Sequence, residues 1–385
     1  MIPGVSISIQ NGQLGQQLQT RDGVVGLICT GLGTNASLNT PMLLTSLEEY
    51  IALGATQAAD AFVVKHVREF YDEAGKGSQL YLLLVPETQT MAQTFDPIAA
   101  AGAKKLIEYA QGEIKLLGVV RNPVGETSVP TNFFRADVIS AITAAQTFVN
   151  GYVAQNIPFR VLLGGRLDVT SNVPQDLKAL TNNRVGVVAG DTVSTSNNAA
   201  VGLALGRAAR VSVSTSIARV KDGPLTGVEK AYIGAVLSLD FAQRNVLIDK
   251  GAITITTYFQ RSGYYFSDDQ MAALPTDDFT NLVNGRVIDK AHRIAYQVYV
   301  QELHESVPID PITGQISPEV VKSLEGKIES AVNTAMANEI SGFDAFVDPA
   351  QNVIANSKLN VNGSITPLGY ARKYDIVLGL TNPFN

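Results

Sequence analysis

Between Gly4 and Gly12 the chain reads GVSISIQNG, with Val5, Ile7 and Ile9 on one side of an extended backbone and Ser6 and Ser8 on the other. Alternation with a period of two predicts a β-strand, and Asn11-Gly12 predicts the turn that ends it. The far end repeats the pattern. In KYDIVLGLTNPFN, residues 373–385, Tyr374, Ile376, Leu378 and Leu380 alternate with Asp375, Val377 and Gly379, and Pro383 stops the strand. Chain ends fray unless something ties them down, and a strand's unpaired N–H and C=O groups demand a neighbour. The two terminal strands are therefore expected to pair, either within their own domain or with another copy of the chain.

Between the ends, apolar runs and helical patterns alternate. VVGLICT (24–30), QLYLLLVP (79–86), EIKLLGVVR (113–121), FRVLLGG (159–165) and NRVGVVAG (183–190) read as buried strands. Helices are expected over 45–54, closed by Gly54, and over 58–73, 97–110 and 136–155. In the last of these Val138, Ile142, Ala145, Val149 and Tyr152 share one face. All-apolar strands separated by helices predict a mostly parallel sheet covered on both sides.

The character then changes. AITITTYFQRSGYYFSDD (252–269) predicts an antiparallel hairpin turning near Ser262-Gly263. One helix is expected from Asn281 to His304, and another begins after Ser317, a good N-cap, with Pro318 at its first position. Residues 350–385 read as strand and turn, with Asn362-Gly363 as a hairpin turn. The expected fold class is mixed α/β and α+β. An N-terminal strand and linker (1–20) precede an outer α/β domain with a mostly parallel sheet (21–275), then an inner α+β domain (276–385).

Charged residues make up 17 % of the 385, against 45 % hydrophobic. A charge fraction below the usual ~25 % fits either surface buried in assembly or an Ala- and Gly-rich α/β protein. The net charge of −6 argues against general nucleic-acid binding. A single cysteine, Cys29, permits no internal disulfide, and the three histidines lie far apart, so no metal site is predicted. No apolar run reaches the ~18 residues of a membrane span, and the start lacks a signal-peptide pattern, which predicts a soluble protein made in a cytoplasm.

The candidate chemistry is thin. TGLGTNAS (30–37) matches G-x-G-x-x-A, but Asn39-Thr40-Pro41 follows where a dinucleotide fold opens a helix. Gly202, Gly206 and Ala209 fit a helix packed closely on a sheet, not a phosphate loop. Asp240 and Arg244 read as an i, i+4 pair, and Asp268-Asp269 and Asp277-Asp278 as turn and helix-start acids. No catalytic residue or cofactor is predicted. Arg286, Lys290 and Arg293 share one helix face, which is either solvated or a docking stripe for an acidic partner.

Four stretches together resemble the contractile tail sheath proteins of phages and contractile injection systems: PGVSI at the start, the Gly-rich segment from Arg184 to Leu225, FTNLVNGRVIDKAHRIAYQVY (279–299), and the closing helix with YDIVLGLTNPF. The resemblance implies a non-enzymatic structural subunit polymerising as stacked hexameric rings around an inner tube and contracting to drive the tube through a target envelope. It implies that the terminal strands, with Val5, Ile7, Ile9, Tyr374, Ile376, Leu378 and Leu380, are exchanged between subunits. It further implies that Arg286, Lys290 and Arg293 face the tube protein. Baseplate and tail terminator proteins are implied partners, and the virion tail or injection particle, assembled in the bacterial cytoplasm, is the implied location. A soluble α/β enzyme and another virion or shell protein using arm exchange are the alternatives.

Overall fold

The computed structural model describes residues 22–381, except 34–36, 56–59, 100, 123–129, 132, 168–173, 195, 197, 234–235 and 238–240. Strands β1 (Val25–Gly31), β2 (Met42–Leu44), β3 (Leu80–Pro86), β4 (Leu116–Val120), β5 (Arg160–Gly165), β6 (Val185–Ala189), β7 (Ile253–Thr256) and β8 (Tyr265–Phe266) form one sheet in the order β8-β7-β6-β5-β4-β1-β3-β2. The six inner strands run parallel, and β2 and β8 pair antiparallel at the two edges. The expected hairpin is therefore present as β7 and β8, and β7 also extends the parallel sheet.

Alternation along each strand builds two cores. Leu27, Cys29, Leu82 and Leu84 face one side, where α2 (Ala61–Ala74) and α5 (Val201–Arg210) lie. Ile28, Leu83, Val161 and Leu163 face the other, under α3 (Ala103–Tyr109) and α4 (Ala136–Val153). Each such side chain contributes roughly 1.5–3 kcal/mol by leaving water. The short α1 (Leu47–Ala52) starts as its sequence predicts, with Ser46 Oγ accepting from the Glu49 amide. The helix expected from residue 97 begins only at Ala103. A Cβ on Gly102, which sits at φ +147°, would meet the Thr94 carbonyl oxygen at 2.5 Å, so the backbone turns there first.

Gly202 and Gly206 of α5 permit close packing, but their partner is the helix α2 rather than the sheet. A Cβ on Gly206 would stand 2.6 Å from the Phe70 carbonyl oxygen, and one on Gly202 would overlap that of His66.

After α6 (Phe241–Asp249), the helix α7 (Leu282–Val300) passes the amino ends of the central strands. Together with α8 (Pro318–Ala335) and the antiparallel pair β9 (Ile340–Phe346) and β10 (Asn362–Pro367), it encloses a separate small core around Ile294, Ile328, Val332 and Phe343. Ser317 precedes α8, but its hydroxyl bonds Glu319 and does not cap. Asn362-Gly363 is not a turn. Both residues lie in β10, opposite Phe346 and Ala345, and the Phe343 ring covers Gly363, 2.8 Å from where a Cβ would sit. The chain returns to β10 through residues 347–361, which include the short α9 (Val353–Asn356).

Candidate assembly interface

The terminal arm is the most unusual surface of the described chain. After Pro367 the backbone continues to residue 381 without regular secondary structure. Tyr374, Ile376, Val377, Leu378 and Leu380 all point to solvent, with Ile376 76 % and Leu378 90 % exposed. Large apolar side chains gathered this densely on a surface normally mark an interaction site. The residues expected to form the C-terminal strand thus have no strand partner in their own chain among the described residues. Val5, Ile7 and Ile9 lie outside the described residues.

The root of the arm is held. The Tyr370 hydroxyl donates to the Ser214 carbonyl at 2.6 Å, and Arg372 donates to Asp269 at 2.8 Å and to Asp268 at 3.4 Å. Asp269 is buried and also accepts from the Val283 amide at the start of α7. Burial pushes its carboxyl up to about 6, with Asp268 adding to the rise, while Arg372 and the Val283 amide oppose it.

The three basic residues of α7 form no exposed stripe, unlike the solvated or docking face that their spacing suggested. Arg286 and Lys290 are each 6 % exposed. The Arg286 guanidinium donates to the carbonyls of Ala208 (2.9 Å), Val211 (3.3 Å) and Ser212 (3.4 Å), so it satisfies the carboxyl end of α5. Burial lowers its pKa to about 10, which leaves it charged at neutral pH. Lys290 lies 2.7 Å from both Asp22 and Glu339, and Arg293 reaches Asp22 at 3.3 Å. Their charges are engaged inside the chain because α7 is an internal joint with one face turned to the sheet.

Sequence reasoning missed the other half of that joint. Asp289 of α7 receives Arg160 at 3.0 Å and Arg184 at 3.0 Å, from the amino ends of β5 and β6. Gly285 makes room, because any Cβ there would collide with the Arg160 guanidinium. The only local signal was a glycine inside a helix, a position that commonly has a packing reason.

Residues 2–270 match the family described as DUF2586, N-terminal domain, and residues 278–385 match DUF2586, C-terminal domain. The chain belongs to the DUF2586 family. No curated protein matches it by sequence. The DUF2586 fold of this chain is similar to that of the anti-feeding prophage helical sheath in its contracted state, with a TM-score of 0.66 at 16 % identity over 99 % of both chains. It is similar to the sheath of an extracellular contractile injection system, PVC, also contracted (TM-score 0.61, 13 % identity, 99 % of this chain and 97 % of that one). A sheath tail protein from Listeria innocua gives a TM-score of 0.54 at 14 % identity over 90 % and 92 %. The mixed α/β fold with its mostly parallel sheet is thus the fold of sheath proteins.

The remaining candidates resolve into structural contacts. Gly31 and Gly33 lead toward β2, and no helix follows before α1 among the described residues. Asp277 accepts from Asn183 and from the Phe279 amide. Arg244 is buried, and Asp240 lies outside the described residues. Among the described residues no cluster of three or more His, Cys, Asp or Glu is placed to hold a metal, and no helix is long and apolar enough to cross a membrane.

Proposed function

We propose that this DUF2586 chain is the subunit of a contractile tail sheath, polymerising as stacked hexameric rings around an inner tube. The observation that carries the reading is the apolar C-terminal arm, exposed and without a strand partner among the described residues, on a chain whose fold, over nearly its whole length, is that of sheath proteins. An arm with alternating apolar residues suits addition to a sheet edge of another copy, where backbone hydrogen bonds supply affinity. A fitting acceptor exists. Among the described residues the β9–β10 sheet has two strands, and beside it α7 and α8 line an apolar groove of about 1010 Å³ with Ile288, Tyr299, Leu324 and Ile328. Two strands alone are marginal, and added strands would complete the sheet. The N-terminal strand, with Val5, Ile7 and Ile9, is assigned the same role.

Baseplate contact is part of the proposal, since the fold also matches a chain of the anti-feeding prophage baseplate (TM-score 0.62, 15 % identity). The particle tail is the proposed location. No catalysis is invoked: relaxation of a metastable extended polymer supplies the work.

Electron microscopy of the purified chain, alone and with its tube protein, tests this reading. Long hollow cylinders of stacked six-membered rings are expected. Uniform monomers at every concentration would overturn it.

A further inference from the structure

A strand-exchanging arm must pull on something without unravelling its own subunit. Here that risk is concrete. The C-terminal arm leaves β10, a strand almost wholly exposed and, among the described residues, paired with β9 alone. A pull along the arm would peel β10 from β9 one hydrogen bond at a time. On the N-terminal side, β1 begins only at Val25, three residues after the described chain starts.

Both roots carry ion pairs at the point where they meet the fold, and both pairs lead to α7. Asp22 is held by Lys290 at 2.7 Å and by Arg293 at 3.3 Å, two side chains from the middle of α7. Lys290 in turn reaches Glu339, next to the start of β9. Arg372 is held by Asp269, whose second oxygen accepts the Val283 amide at the first turn of α7 and whose carbonyl accepts the Leu282 amide. Tyr370 adds a bond to Ser214, just beyond the carboxyl end of α5 that Arg286 of α7 caps. Lys290 is buried, so its pair with Asp22 is screened less than a surface pair, whereas the Arg372–Asp269 pair has one buried and one partly exposed partner.

We propose that Asp22 and Arg372 anchor the two arms against tension, and that α7 is the yoke to which both are tied. A pull on either arm then passes to α7, and through the Asp289–Arg160–Arg184 joint to the amino ends of β5 and β6, before it reaches β10 or β1. The helix first read as facing a tube thus carries force between arms. The anchors acquire their purpose from the arm exchange proposed above, but they are measurable without it.

The test uses the full chain with Arg372→Gln or Asp22→Asn. Both are mild, because Arg372 is partly exposed and Lys290 keeps Glu339 as a partner. Tryptic nicking after Lys373, normalised to a free peptide of residues 368–381 bearing the same substitution, should rise roughly tenfold or more in Arg372→Gln, as expected for losing a charge-assisted bond. Cleavage at Lys104, remote and exposed, should stay constant. In Asp22→Asn, exchange of the Val25 amide, which donates to Gln79, should quicken by a similar factor. Unchanged nicking and exchange would overturn the anchors. Under fixed shear, polymers of either variant should be several-fold shorter than those of the unsubstituted chain, and equal lengths would overturn the force-carrying role. Failure of arm exchange reads out separately, as polymers that still form after the arms are deleted.

Discussion

At the scale of single residues, the sharpest energetics sit where α7 meets the sheet. Asp289 is buried between two guanidinium groups, so truncating it strands the wholly buried Arg160. Breaking a buried pair costs more than the pair is worth, about 3–5 kcal/mol. Asp289→Ala should lower the unfolding free energy by about that much in urea denaturation, and a loss of only a few tenths would mean that water reaches Arg160. Asp269 sets a pH dependence. Its folded pKa of about 6 lies above the free value of 3.8, so between these the native chain holds a proton that the unfolded chain has released. The linked stability is full below 3.8 and declines as pH rises through 6. Asp269→Asn should remove that decline from a series of melting curves across the window.

Elements show the same logic of close approach. The contact between α2 and α5 exists because Gly202 and Gly206 bring α5 against the backbone of α2. Gly206→Ala places a methyl group 2.6 Å from the Phe70 carbonyl oxygen, inside any tolerable contact. Overpacking of this kind costs about 1–3 kcal/mol, despite the gain in helix propensity. A lowered denaturation midpoint with unchanged slope is the expected result. The arm behaves oppositely. Ile376→Pro removes a backbone donor from a segment whose apolar side chains are exposed among the described residues. The melting temperature of the unassembled chain should stay put while pelletable polymer is lost. Equal loss of both would assign the arm to its own fold.

For the whole molecule, the expectation is that folding and assembly separate cleanly. Removing residues 1–12, or ending the chain before Lys373, should leave the far-ultraviolet circular dichroism and the melting temperature of the body intact and abolish polymers. The body has its own cores on both sides of the sheet and a third around α7 and α8, none of which includes residues 373–381. A truncation that assembles normally would remove that terminus from the interface.

Taken alone, the sequence determined the elements whose signal is local. The central strands were legible because each is a near-continuous apolar run, and burial on both faces is what such a run requires. The helices α4, α7 and α8 were legible from apolar stripes. The C-terminal arm was legible as a segment in need of a partner, because alternation reports an unfilled face wherever that face ends up. Only the tertiary structure decided the rest. Arg286, Lys290 and Arg293 share a helix face in any reading, but whether that face meets solvent, a tube or the amino ends of a sheet depends on residues 49 to 271 positions away along the chain, and periodicity carries no such information. Asn362-Gly363 read as a turn on local preference, until the Phe343 ring across the hairpin claimed the space above the glycine. Charge placement and glycine packing are settled by partners distant in sequence, and three-dimensional contact alone names those partners.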